Sequence, residues 1–187
     1  MQVVSVNTAR AEPLLAQGQL VPSAIRKRAR DGRIAVGPLG LDGDEQADRS
    51  VHGGPAKAVY AYPQEHYAFW TTVRAQAKVE GELQPGAAGE NLTLLGLLEN
   101  RVWLGDVLRF PDCELIVSEP RYPCFKFNAH MGFNQAVKLM AQSAYCGFYL
   151  AVKREGSIAA GEAFELLPGP REVGLVELFK AKMKGKT

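Results

Sequence analysis

The sequence is poor in the residues that build a metal or nucleophile site unaided. It holds three cysteines and three histidines, none in a Cys-x-x-Cys, His-Glu-x-x-His or clustered-histidine spacing. Zinc or iron sites made of paired protein ligands are therefore excluded. An odd number of scattered cysteines is no disulfide framework and predicts a reducing, cytosol-like compartment. No glycine-rich phosphate loop of the Walker or dinucleotide type occurs. The string His52-Gly53-Gly54 occurs in the oxyanion loop of lipases, but the Gly-x-Ser-x-Gly elbow such an enzyme needs is missing. The acidic stretch at 41–49 lacks the full calcium-loop pattern with its closing glutamate. No apolar run approaches the length of a bilayer, and residues 1–6 lack the basic start and apolar core of a secretory leader. A dominant charge sign is missing too. A net charge of +2 over 187 residues gives no reason to expect nucleic acid as the main partner.

What is present points to strands. Nineteen glycines and eleven prolines punctuate short apolar runs, a pattern of many strands joined by turns. The length is that of one domain, and such a chain buries about 70% of its unfolded surface without staples. Residues 2–7 read as an opening strand, followed to residue 22 by a strand pair or a loop excursion. Asp31-Gly32 predicts a hairpin turn before a strand at 34–36. A strand at 57–62 ends at Pro63, which suits the first turn of a helix. His66, Phe69, Trp70 and Val73 then share one helical face, with His66 at its margin. Further strands are expected at 92–94, 102–104, 107–110, 113–124, 146–152 and 164–167, and helices at 133–143 and from 172. The expected class is mainly β with a few helices, as a closed or half-closed sheet over residues 1–170 with a short, basic helical tail at 171–187.

The chemistry concentrates in Pro120-Arg121-Tyr122-Pro123-Cys124-Phe125-Lys126-Phe127-Asn128. Two prolines remove backbone donors, so strand pairing should stop here. Cys124 follows directly, with Arg121 before it and Lys126 after. In extended chain residues 124 and 126 share a face, and the neighbouring cations favour thiolate, the form that ligates metals and attacks electrophiles. A packed, inert cysteine is the plain alternative, and a nucleophile pair of Cys124 with His52 or His130 is a third reading. Arg26, Lys27, Arg28 and Arg30 form either a solvated basic turn or an anion site. Two small-residue turns, at His52-Gly53-Gly54 and at Gly89-Glu90-Asn91, would let backbone amides approach a ligand. This set suits a phosphate-bearing cofactor carrying a thiophilic metal.

The chain also resembles the MOSC domain proteins, the class named for the C-terminal part of molybdenum cofactor sulfurases. The resembling strings include Ser23-Ala24-Ile25-Arg26-Lys27, Gly43-Asp44-Glu45-Gln46, Val51-His52-Gly53-Gly54-Pro55, Gly89-Glu90-Asn91-Leu92 and the Cys124 stretch, in the family's order over about residues 1–167. The likeness is to the branch of the bacterial 6-hydroxylaminopurine resistance proteins, which carry a further C-terminal helical module. It implies a β-barrel-like fold that binds molybdenum cofactor (molybdopterin with molybdenum), with Cys124 as the metal ligand. At family level it also carries an association with pyridoxal phosphate binding. It implies reduction of N-hydroxylated compounds with electrons from a separate reductase. On this reading Arg26, Lys27 and Arg28 hold the cofactor phosphate, and His52, Gly53 and Gly54 line the pocket. Glu90 and Asn91 then bond the pterin edge, and Arg121 and Lys126 offset its negative charge. A carrier without turnover, or a persulfide carrier using Cys124 alone, are the rivals.

Overall fold

Short apolar runs broken by glycine and proline become short strands. In the computed structural model, which describes residues 1–48 and 53–185, they run from β1 to β13 with four helices among them. In chain order these are β1 (Gln2–Thr8), β2 (Glu12–Ala16), β3 (Gln19–Ser23), β4 (Arg28–Ala29), β5 (Arg33–Gly37), β6 (Gly40–Leu41), β7 (Val59–Pro63) and α1 (Tyr67–Gln76). Then follow β8 (Leu92–Leu95), β9 (Val107–Arg109), β10 (Glu114–Pro120), α2 (Phe125–Met131), α3 (Ala136–Ser143), β11 (Phe148–Arg154), β12 (Gly156–Ala159), β13 (Glu165–Leu167) and α4 (Leu175–Lys184).

Eight strands form the main sheet in the order β13-β9-β10-β11-β7-β8-β1-β4. Neighbours are antiparallel except β7 and β8, which run parallel. Every residue of β7 is buried. Side chains alternate across a strand, so Val59 and Ala61 join one hydrophobic cluster while Tyr60 and Tyr62 join another. The first cluster lies between this sheet and a small one, β12-β5-β6. The second lies under the helices, which supply Trp70, Phe127, Met140 and Phe179. No helix among the described residues is long and apolar enough to cross a membrane.

The class is mainly β with a few helices, and the sheet is curled but not a closed barrel. At its nearest to closure, Val3 donates to the Glu162 carbonyl at 2.8 Å and Gly161 donates to the Val3 carbonyl at 2.8 Å. Several local expectations change. Asp31-Gly32 turns no hairpin, because β4 pairs with β1 while β5 pairs with β12 and β6. The hairpin turn there is Gly37-Pro38-Leu39-Gly40. Residues 102–104 are not a strand, and Trp103 makes only an isolated bridge to Gly174. His66 is not marginal. It is buried, with Nε2 2.6 Å from a Glu99 carboxylate oxygen and its ring stacked 3.8 Å from Tyr145.

Candidate functional site

Strand β10 ends at Pro120 as the prolines require, but α2 begins only five residues later, at Phe125. Cys124 is its N-cap residue, still extended at φ −125°, and its carbonyl accepts from the Phe127 amide at 2.9 Å. The half-buried thiol lines a cleft of about 100 Å³ that opens to solvent. The other walls come from distant parts of the chain: the loop after β3, the loop after β6, Tyr60 of β7 and Tyr149 of β11.

Arg121 is the most telling residue beside Cys124. It is buried, and no carboxylate pairs with it among the described residues. Its guanidinium lies 5.4 Å from the Tyr60 ring and 4.7 Å from the Phe127 ring, with Nη1 3.4 Å from the Met140 sulfur. Aromatic faces offset part of a buried charge, but a buried cation without an acid partner is costly. Its electrostatic neighbours are Tyr60, Tyr149 and Cys124. Burial pushes the Tyr149 hydroxyl up from its ordinary pKa, so it stays protonated. The place is built for an anion: a thiolate, a ligand, or both.

Lys27 enters the same cleft, and its ammonium is 2.5 Å from an Asp44 carboxylate oxygen. Burial lowers its pKa, against the pull of Asp44. Asp44 also accepts from the Ala9 amide at 2.8 Å and from Asn91 Nδ2 at 2.9 Å. Asn91 in turn accepts from the Tyr60 amide at 3.0 Å. Lys27, Asp44, Asn91 and Tyr60 thus form one connected, mostly satisfied wall. Sequence reasoning overlooked Asp44, Tyr60, Tyr149 and Lys57. Asp44 lay in a string weighed for calcium and counted toward the MOSC resemblance without a role of its own, and the alternating tyrosines of β7 read as core.

Other expected site residues are placed differently. The 26–28 triplet is split: Arg26 and Arg28 line a second recess that includes His130, while Lys27 lines both that recess and the Cys124 cleft, with its ammonium on Asp44 in the cleft wall. The wall between them is tight, since a Cβ on Gly86 would lie 2.8 Å from the Lys27 carbonyl oxygen. Lys126 does line the cleft, but from the first turn of α2. Its amine donates to the Pro22 carbonyl at 2.9 Å rather than following an extended strand beside Cys124. Glu90 is fully buried and taken up internally. Gly86 and Ala88 amides donate to it at 2.9 Å each, the Thr93 hydroxyl donates at 2.7 Å, and the Tyr67 hydroxyl donates as well. Its burial leaves no face toward the cleft for a pterin edge. Asn91 sits in the wall with its amide engaged. Gly53 and Gly54 do not line the cleft but pack on Gln46, whose side-chain oxygen accepts from the Gly54 amide at 2.8 Å. His52 lies outside the described residues. His130 faces the recess, bonded to the Ala87 backbone, with its pKa lowered to about 4 by burial and then by Arg121.

The match with known proteins covers Cys124, Arg121, Tyr60, Asn91 and Tyr149 of this cleft. Residues 48–165 match the MOSC domain. The chain belongs to the MOSC family. It is 38% identical over 157 residues to YiiM of Escherichia coli, covering 83% of this chain and 69% of that protein. It is similar in structure to YiiM from Geobacillus stearothermophilus, with a TM-score of 0.79 and 30% identity, covering 99% of this chain and 85% of that one. A Gibberella moniliformis protein named "Reductase" is 37% identical over 157 residues, which are 83% of this chain and 27% of that protein. The MOSC protein described here is of the YiiM branch.

Proposed function

We propose that this MOSC protein is a molybdenum-cofactor oxidoreductase that reduces N-hydroxylated compounds, with electrons delivered by a separate reductase. The observation that carries the reading is the pairing of the cleft thiol Cys124 with the buried, acid-free cation Arg121. Among the described residues no group of three or more His, Cys, Asp or Glu side chains could hold a metal ion. A metal at Cys124 would therefore bring most of its ligands with it, and a dithiolene-bound molybdenum does so. The residues fit that group. Cys124 would supply the protein thiolate, Arg121 would balance the anionic charge, and Lys27 and Asn91 would line the remaining wall. When bound, the cofactor supplies two-electron oxygen-atom chemistry; the protein's part is to orient it and set its electrostatics.

This chain's own residues then have separate tasks. The Tyr149 hydroxyl, kept protonated by burial, can donate a hydrogen bond to a ligand oxygen in the cleft. Lys27 and Asp44 form a proton-bearing pair at its edge. The name of the fungal relative supports a reductive role.

The test is metal analysis of protein made in a host that produces molybdenum cofactor. The expected content is about one molybdenum per chain, lost in Cys124→Ala. Absence of molybdenum from the native chain sinks the proposal. Reduction of hydroxylaminopurine with an artificial electron donor is the second readout. A molybdenum-loaded protein without turnover would instead be a carrier.

A further inference from the structure

The cations at 26–28 predict one anion site, and the fold divides them between two cavities. We propose that the recess lined by Arg26, Arg28, Arg74 and His130 is a second ligand site, distinct from the Cys124 cleft, that binds a small phosphomonoester of the nucleotide class.

Three observations carry this. First, the recess is strongly cationic. Three arginines line it, with Glu82 as the one carboxylate among its described lining residues. Arg26 and Arg28 are exposed and make no side-chain hydrogen bond or ion pair among the described residues. Two unengaged guanidinium forks beside one cavity match the bidentate geometry of phosphate.

Second, Arg74 is pre-set. Its terminal nitrogens donate to the Gly81 and Glu80 carbonyls at 3.1 Å each, which fixes the guanidinium, while Nε is buried with no hydrogen-bond partner. Held in this way, Arg74 adds a fixed positive charge to the recess wall. His130 stands in the same positive field: burial, Arg121, Arg26 and Arg74 all disfavour its charged form.

Third, the recess has room and an apolar floor for more than an ion. It offers about 240 Å³, open to solvent, and Leu83, Pro85 and Met131 line it together with Gln84. An apolar wall with one amide suits a flat organic body attached to the phosphate.

The recess is also not the phosphate end of the Cys124 cleft. Lys27 is the one lining residue the two share; on the recess side its backbone packs against Gly86, where a Cβ would strike the Lys27 carbonyl and glycine is required. Lys27 itself turns its ammonium the other way, onto Asp44.

Calorimetry on the full chain with AMP, inorganic phosphate and adenosine tests this. AMP should bind more tightly than inorganic phosphate, and adenosine should not bind. Arg26→Ala/Arg28→Ala should weaken AMP by about tenfold or more, the worth of a charge-assisted bond. Arg101→Ala/Lys180→Ala, which removes two charges elsewhere, should change it less than threefold, a margin of under about 0.7 kcal/mol. Cys124→Ala should bind AMP unchanged, and Arg26→Ala/Arg28→Ala should keep the native molybdenum content. The proposal is overturned by adenosine binding as well as AMP, by phosphate matching AMP, or by no binding at all. It is equally overturned if Cys124→Ala abolishes AMP binding, or if the arginine pair proves necessary for molybdenum. Because AMP binding is read without metal or turnover, failure here leaves the molybdenum reading standing, and the reverse.

Discussion

Glu90 is a carboxylate enclosed by donors: two backbone amides and the hydroxyls of Thr93 and Tyr67 converge on it at no solvent exposure. It holds the small-residue turn at 86–89 against β8 and α1, rather than facing a ligand. Glu90→Ala would strand these donors in the interior, and each stranded donor costs about 1–3 kcal/mol. The expected loss is on the order of 4 kcal/mol in urea unfolding, and a loss below about 1 kcal/mol would show that the turn does not depend on it. His130 sets a pH dependence. Its folded value, about 4, lies below the ordinary 6.5, so between these values the unfolded chain binds a proton that the folded chain refuses. Stability is then highest above about pH 6.5 and falls as the pH drops towards 4, by an amount on the order of 3 kcal/mol. His130→Gln should flatten that slope between pH 7 and 5, and an unchanged slope would assign it to other groups. Both residues were singled out in the sequence as chemically able. Their partners, from residues 67 to 93 for one and 26 to 121 for the other, come from segments that no local pattern joins.

At the scale of elements, periodicity located most strands and three of the four helices. It failed at α2, where residues 124–126 read as extended chain beyond the prolines. The helix forms because Phe127 and Met131, four residues apart, bury one face against the second cluster. Asn128 then ties its end to α3, accepting from the Val137 amide at 2.8 Å and donating to the Asn134 carbonyl at 2.9 Å. That is why Lys126 stands in a helical turn and not on a strand face. The tail at 171–187 reads in sequence as a basic end, yet α4 buries Leu175 and Phe179 completely. Phe179 stacks on Tyr122 at a centroid distance of 5.8 Å, two residues before Cys124. Phe179→Ala should therefore cost about 3–5 kcal/mol by the usual price of an emptied aromatic site. Thermal unfolding checks the stability, and reactivity of Cys124 towards a thiol reagent checks the coupling. A cysteine reacting at the native rate would mean that α4 does not brace the site.

At the scale of the whole molecule, the sheet brings together what the chain keeps apart. The Cys124 cleft draws on residues 27, 44, 60, 91, 121 and 149, and the alternation of β7 places Tyr60 on its side while Val59 and Ala61 build the other core. The sequence by itself determined the class of fold and the placing of one cysteine beside a cation where pairing must stop. Those depend on composition, proline chemistry and short-range spacing. Only the tertiary structure decided which cations share a cavity with Cys124, that Glu90 serves the fold, and that Arg121 is buried with no acid partner among the described residues. Burial and partner choice are set by contacts between residues far apart in the chain, and a one-dimensional pattern carries no record of them.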